Sequence, residues 1–228
     1  MDARVVSIQV GKVRTYEQGG PDGKPWRSAI DKRPVEGPVC LAFEGLAGDA
    51  VADRRYHGGA ERAVLVYGAA WYPRWADELD RKDLQHGFFG ENLTVEGLDD
   101  DTALIGDELA LGSAVLQISQ PRMPCVKLGR RLGSAAALDR VFATGRTGFY
   151  LRVLEEGEIE PGPLALVGRR SGGVPVSRAL RALLHPLDDP EAVAALTSSF
   201  ALSEHFRAAL VKANARATRG RPSQADPV

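Results

Sequence analysis

Short apolar runs separated by glycine and proline fill most of the first 168 residues, and this spacing limits the folds open to the chain. Runs of this length, bounded by turn residues, are typical of β-strands rather than helices. Gly112-Ser113 joins two of them as a two-residue hairpin turn. So many short strands predict a mainly β domain over residues 1–168, built as a barrel or a sandwich. The predicted strands are 5–10, 39–43, 63–67, 92–95, 108–111, 114–119, 148–154 and 164–167.

Two helical segments interrupt these strands. Residues 69–79 place Trp71, Trp75 and Leu79 on one helix face, which predicts core packing rather than a stacking platform for a ligand. Residues 134–144 are predicted to form a second helix, which starts at Ser134, a good N-cap, and ends before Gly145, a good C-terminal cap. Both helices are therefore predicted as insertions in the β domain.

The pattern changes after residue 168, at a linker rich in glycine and arginine. Residues 174–216 are predicted to form a small unit of three helices: 176–184, a second capped by Asp189, and a third that follows Ser203. So short a unit buries little apolar surface alone, so we expect it to pack on the β domain or on a partner. Residues 219–228 are predicted to be a disordered tail.

The two cysteines have different surroundings. Cys40 lies in an apolar strand and is predicted to be a core residue. Cys125 follows Pro121 and Pro124, stands near Arg122 and Lys127, and precedes a run that can form a helical turn. Nearby positive charge and a helix N-terminus favour the thiolate, which attacks electrophiles and binds metals. We interpret Cys125 as reactive, against the alternative of an inert buried thiol.

Composition indicates neither a membrane nor a nucleic acid partner. The apolar runs are shorter than the ~20 residues that span a bilayer, and MDARVVSIQVGK lacks the features of a signal peptide. Two unlike cysteines predict no disulfide framework, so a cytoplasmic protein is expected. The net charge of −1 does not favour nucleic acid binding. Local clusters of lysine and arginine are either solvated surface or, if they converge, an anion site.

Two further motifs carry polar groups in loops. His57-Gly58-Gly59 predicts a backbone nest for an oxyanion, with Arg62 behind it, although paired glycines are also ordinary loop residues. Asp49, His57 and Glu61 have the chemistry of metal ligands but no recognised zinc spacing. Glu91 and Asn92 are either functional groups at the mouth of a strand or a turn that precedes it.

Taken together, these motifs resemble the MOSC domain, and within it the YiiM-like branch. The matching stretches occur in the family's order and span about a hundred residues. They are Ser28-Ala29-Ile30-Asp31-Lys32, Gly45-Leu46-Ala47-Gly48-Asp49, Tyr56-His57-Gly58-Gly59 with Arg62, Phe89-Gly90-Glu91-Asn92-Leu93, and Ser119-Gln120-Pro121-Arg122-Met123-Pro124-Cys125. The three predicted C-terminal helices also resemble the appendage of that branch.

The resemblance implies a MOSC-type β-barrel that binds the molybdenum cofactor (Mo-molybdopterin). Cys125 would be the protein thiolate on molybdenum. Lys32, Arg62, Arg122 and the His57-Gly58-Gly59 nest would hold the anionic cofactor. The pterin ring or the substrate would contact three other residues, namely Asp49, Glu91 and Asn92. His57 would also be the proton donor, because its ordinary pKa lies near neutrality.

The implied reaction is reduction of small N-hydroxylated compounds, such as hydroxylaminopurine base analogues, to amines. No segment reads as a flavin or nicotinamide fold, and two cysteines cannot hold an iron–sulfur relay, so a separate electron-donating flavin reductase is expected. The helices after Val176 would receive that donor or form a homodimer contact. Two alternatives stay open: a persulfide carrier on Cys125, and a non-catalytic module that delivers the cofactor.

Overall fold

The computed structural model describes residues 2–18, 24–169 and 173–220. In that part of the chain the strands are β1 (Ala3–Val10), β2 (Arg14–Tyr16), β3 (Trp26–Ser28), β4 (Arg33–Pro34), β5 (Val39–Ala42), β6 (Gly45–Leu46), β7 (Val64–Gly68), β8 (Leu93–Glu96), β9 (Glu108–Leu111), β10 (Ala114–Pro121), β11 (Phe149–Glu155), β12 (Gly157–Ile159) and β13 (Gly162–Gly168). The helices are α1 (Arg54–His57), α2 (Trp71–Glu78), α3 (Val126–Leu132), α4 (Ala135–Thr144), α5 (Val176–Leu184), α6 (Pro190–Thr197) and α7 (Glu204–Gly220), and Ala60–Arg62 form a 3-10 turn.

The main sheet closes on itself as a barrel. Its strand order is β13-β9-β10-β11-β7-β8-β1, and β1 returns to pair with β13. Each neighbouring pair is antiparallel except β7 with β8. The eight strands that the sequence predicts are all present, including the Gly112-Ser113 hairpin between β9 and β10. The prediction of a mainly β fold is confirmed, and closure of the sheet decides for a barrel over a sandwich.

Five strands escaped prediction because they are only two or three residues long, which is too short for a recognisable apolar run. They are β2, β3, β4, β6 and β12, and most pair in small side sheets. The β2–β3 pair forms an arm in which Tyr16 stacks on Trp26 with ring centroids 4.4 Å apart. Arg130 of α3 lies over the same indole, so the arm packs against that helix.

Cys40 is exposed, so the prediction that it is a core residue is wrong. Residues of β5 alternate between the two faces of the strand, and Val39 and Leu41 take the buried face. Cys40 therefore points to solvent, although its neighbours in sequence are apolar.

Both inserted helices form where predicted. Trp75 of α2 is fully buried, and its indole N–H donates to the Tyr67 hydroxyl at 2.6 Å. Ser134 caps α4 by accepting the Ala137 amide, and Gly145 ends that helix with φ +70°.

No helix among the described residues combines the length and apolar character that crossing a bilayer requires.

The three C-terminal helices pack on the barrel. Val176, Ala179, Phe206 and Leu210 belong to the same apolar cluster as the barrel interior. Asp189 caps α6 by accepting the Ala192 amide, as predicted. The unit therefore finds its packing surface within the chain. α7 extends through residues 219 and 220, which the sequence assigned to the disordered tail, whereas linker residues 170–172 and tail residues 221–228 lie outside the described part.

Candidate functional site

Cys125 stands between a barrel strand and a helix. β10 ends at Pro121, and Cys125 is the N-cap of α3, with extended backbone angles of φ −125° and ψ 165°. Its carbonyl oxygen accepts the amide hydrogens of Leu128 and Gly129, at 2.9 and 3.2 Å. The predicted helical turn after the cysteine is confirmed, and the thiol is partly exposed rather than buried.

The thiol faces a cavity of about 170 Å³. Of the residues that the sequence and the resemblance put forward as a site, all line this cavity except Glu61 and Glu91. Those that line it are Lys32, Asp49, His57, Gly58, Gly59, Arg62, Asn92, Arg122 and Cys125. Five segments far apart in the sequence therefore converge, and most of the charged groups among them are cations.

Arg122 carries the strongest evidence for an anion in this cavity. Its side chain is only 5% exposed, and Nη1 is buried without a hydrogen-bond partner in the part of the chain that the structure describes. Its backbone is fixed, since its amide donates to the Gly148 carbonyl at 2.9 Å. Gly148 has φ +77°, and a Cβ there would lie 2.4 Å from the Val66 carbonyl oxygen. A buried guanidinium with an unused donor is costly unless a ligand supplies the anion.

Lys32 was predicted to hold the anionic cofactor, but its charge is not free in the structure. Its Nζ lies 2.5 Å from both carboxylate oxygens of Asp49, and both side chains are largely buried. Asp49 also accepts the Gly11 amide and the Asn92 side-chain amide, at 2.7 and 2.9 Å. Burial lowers the pKa of Lys32, and the charge of Asp49 opposes that shift. Lys32, Asp49 and Asn92 thus form one buried network that shapes the cavity wall, and its charges cancel.

Glu91 does not line the cavity, so its predicted contact with a pterin or substrate is not supported. The side chain is fully buried, and one oxygen accepts the Tyr72 hydroxyl, the Gly87 amide and the Thr94 hydroxyl. Burial, then the charge of Glu91, raises the pKa of Tyr72. Glu91 therefore closes the turn before β8, which is the alternative that the sequence left open.

The loop at His57 differs from the predicted nest. The amides of His57 and Gly58 donate to the Asp53 and Arg54 carbonyls, at 3.0 and 3.1 Å, so these two donors are used within α1. Burial, then the positive charges of Lys127 and Arg122, lowers the pKa of His57. The imidazole is therefore neutral at pH 7, which is opposite to what a proton donor at that pH requires.

Tyr150 is a site residue that the sequence reasoning missed. It lines the cavity from β11, between the buried Phe149 and Leu151, and is half-buried. Burial raises the pKa of its hydroxyl, which Arg122 partly opposes. The strand alternation separates Tyr150 from its buried neighbours, but nothing in the sequence says which face of β11 meets Cys125. Lys127, predicted only as a neighbour of the thiol, also lines the cavity.

Glu61 connects the site to the C-terminal helices. It lies in the 3-10 turn beside Arg62, and its carboxylate accepts the Glu204 amide at the start of α7 and the Arg152 guanidinium, both at 2.9 Å. Its carbonyl accepts the Ser119 hydroxyl at 2.6 Å. Asp49, His57 and Glu61 are not part of any metal-binding group of three or more such side chains in the described residues. The role of Glu61 is therefore to fix the turn that carries Arg62.

The chain matches a known family model and several known proteins. The MOSC domain model matches residues 53–163. YflK of Bacillus subtilis is 44% identical over 91% of this chain and 93% of its own length, and YiiM of Escherichia coli is 36% identical over 82% of each. A protein named reductase from Gibberella moniliformis is 39% identical over 68% of this chain, which spans only 27% of that protein.

Solved structures of YiiM proteins are similar to this chain over nearly the whole fold. The crystal structure of YiiM from Geobacillus stearothermophilus superposes with a TM-score of 0.77 at 33% identity, and it covers 93% of this chain and 99% of that one. YiiM from Escherichia coli gives a TM-score of 0.74 at 28% identity, over 94% of each chain. The coverage includes the C-terminal helices as well as the barrel. The chain therefore belongs to the MOSC domain family, and within that family it is similar to the YiiM proteins.

Proposed function

We propose that this protein is a molybdenum-cofactor-dependent oxidoreductase that reduces small N-hydroxylated compounds, such as hydroxylaminopurine base analogues, to amines. One observation carries the proposal: a partly exposed cysteine and a buried arginine with an unused donor line the same cavity. A soft thiolate is a suitable ligand for the metal, and the arginine suits the anionic part of a cofactor. MOSC family membership and the relative named reductase support the same class of reaction.

The residues of the cavity divide by chemistry. The Cys125 sulfur would be the protein ligand of molybdenum, and Arg122, Arg62 and Lys127 would hold the cofactor's negative charge. When bound, the molybdenum cofactor supplies the two-electron redox chemistry. The Lys32–Asp49 pair is satisfied internally, so its role is to keep the wall in place.

Reduction of a hydroxylamine to an amine consumes two electrons and two protons and releases one water. Tyr150 lies in the cavity wall, and its hydroxyl is protonated at neutral pH because the ordinary pKa of tyrosine is about 10 and burial raises it further. It replaces His57 as the side chain that we assign to proton donation. Neutral His57 instead can offer or accept one hydrogen bond to orient the ligand.

The proposal is tested by metal analysis and turnover on protein purified from a host that makes the cofactor. We expect about one molybdenum per chain and anaerobic turnover of a hydroxylaminopurine with reduced methyl viologen. Molybdenum without turnover would indicate a delivery module, and a persulfide on Cys125 without molybdenum would indicate a sulfur carrier. Either result would refute the proposed reaction.

Glu61→Ala is expected to weaken cofactor retention while the barrel stays folded. The change removes both hydrogen bonds of the carboxylate, to the α7 amide and to Arg152, so the turn carrying Arg62 is no longer fixed. Hydrogen bonds to charged groups contribute about 1.5–3 kcal/mol each, so molybdenum occupancy at limiting cofactor should fall about tenfold.

The conservative variant Glu61→Gln serves as the matched control, because the amide oxygen can still accept the Glu204 amide. We expect it to restore part of the occupancy. The measurement is molybdenum per chain alongside a thermal unfolding curve. If Glu61→Ala kept full occupancy, or lost it only in proportion to lost folded protein, Glu61 would have no positioning role.

A further inference from the structure

A second cavity, of about 290 Å³, lies beside the first and is rich in arginine. We call it the arginine groove. It is lined by Asp31, Lys32, Arg33, Arg81, Asp83, Gln85, His86, Phe88 and Arg131. None of these residues except Lys32 lines the cavity of Cys125. The groove is therefore a separate feature that the proposed chemistry does not use.

The groove carries excess positive charge. Arg33 and Arg131 approach the carboxylate of Asp31 at 3.2 and 3.1 Å, and Arg14, which does not line the groove itself, reaches the same carboxylate at 3.2 Å. Three cations against one anion leave two positive charges in excess. The remaining pair, Arg81 with Asp83, is neutral. The excess is local, because the whole chain has a net charge of −1.

The form of the groove favours a broad acidic surface over a small anion. The side chains of Arg14 and Arg33 are 59% and 61% exposed, so they face solvent and do not enclose a ligand. Asp31 is only 10% exposed and holds the three arginines in one place. A fixed, open, positive surface attracts an acidic protein over a distance and accelerates its association.

The groove also lies close to the cofactor cavity. Lys32 lines both, and its Nζ ends on Asp49 in the wall of the first cavity. Only the short Asp31–Lys32 segment therefore separates them. Cys125 does not line the groove, so a protein docked there would contact the wall shared with the cavity rather than the thiol itself.

We propose that the arginine groove is the docking surface for an electron-donating protein with an acidic surface. This inference rests on the proposed function, which requires two electrons from outside the chain. The C-terminal helices, which the sequence put forward as a place for the donor or for a homodimer contact, pack residues such as Val176 and Phe206 on the barrel. A transient electron-transfer interface needs only a small contact area.

The test uses an acidic flavodoxin, reduced with dithionite, as the probe. The double variant Arg14→Gln/Arg33→Gln removes the two exposed cations and leaves Arg131 on Asp31. We expect the Kd for flavodoxin and its KM in turnover to rise about tenfold at low salt, and the difference to vanish near 0.5 M salt. Turnover with reduced methyl viologen should not change, since the dye needs no docking surface.

The matched control is Lys212→Gln/Arg216→Gln, which makes the same change in net charge on exposed positions of α7. We expect it to behave as wild type. Equal effects of the two double variants, or none from either, would overturn the proposal. So would binding of inorganic pyrophosphate in the groove with no binding of flavodoxin, because that result would indicate a small-anion site.

The binding measurement also separates this inference from the proposed function. If wild-type protein bound flavodoxin through the groove but did not turn over with methyl viologen, the proposed reaction would fail and the docking surface would stand. If it turned over with the dye but bound flavodoxin equally well after loss of the two arginines, the reaction would stand and the docking surface would fail.

Discussion

Cys125→Ala is expected to abolish both molybdenum retention and turnover. The substitution removes the sulfur that lines the cavity and leaves the fold intact, because the thiol is partly exposed and no hydrogen bond from it is seen in the described residues. Loss of a single metal-orienting group already costs 10–100-fold in affinity, so loss of the ligand itself should cost more than about 100-fold. Molybdenum per chain and anaerobic turnover measure the two effects.

Cys40→Ala is the matched control, since it removes the other thiol from a solvent-facing position of β5. We expect wild-type occupancy, turnover and stability. Because Cys40 is exposed, its loss leaves no cavity, and surface substitutions usually change stability by less than about 0.5 kcal/mol. Near wild-type turnover in Cys125→Ala would exclude this cysteine as the metal ligand.

The barrel could be predicted from the sequence because its strands are short apolar runs bounded by turn residues. In β11 alternate residues are buried, whereas nearly all of β10 is buried, and glycine or proline lies near the ends of both strands. Cys40 shows the limit of the same signal. An apolar run indicates a strand, but which residues face the core depends on register against the neighbouring strand, here β12, which the sequence did not reveal.

The site could be predicted as a set of residues but not as a set of roles. Motifs placed Lys32, Asp49 and Glu91 near one another, yet their charges are used differently. Lys32 and Asp49 neutralise each other, whereas Glu91 turns away to Tyr72. Pairing of this kind depends on side-chain distances between loops, which no spacing in one sequence encodes. Tyr150 was missed for the related reason that its strand has no motif.

The contrast between Arg122 and Lys32 leads to a prediction with two opposite effects. Lys32 has a carboxylate partner in the described structure, whereas Arg122 is equally buried and keeps an unused donor. Arg122→Met is therefore expected to stabilise the cofactor-free protein. An unsatisfied buried polar group costs about 1–3 kcal/mol, and methionine removes that cost while filling similar space. The free energy of unfolding in urea, without cofactor, measures this gain.

The same substitution should weaken cofactor binding about 10- to 100-fold, because it removes a charge-assisted hydrogen bond of about 1.5–3 kcal/mol. Arg122→Lys should recover only part of the affinity, since a lysine cannot reproduce a two-donor contact. Arg62→Ala, at another residue that lines the cavity, is expected to lose affinity as well. Arg181→Ala, at an exposed position of α5, is the control and should change neither quantity.

Opposite signs in the two measurements are what distinguish a binding residue from a structural one. A structural arginine, on replacement, would lower stability and lose cofactor only as folded protein is lost. An arginine that binds an anionic ligand destabilises the cofactor-free protein and stabilises the cofactor-bound one. Functional sites often reduce stability in this way. If Arg122→Met proved less stable than wild type without cofactor and retained full occupancy, Arg122 would belong to the scaffold and the cavity would need another anion partner.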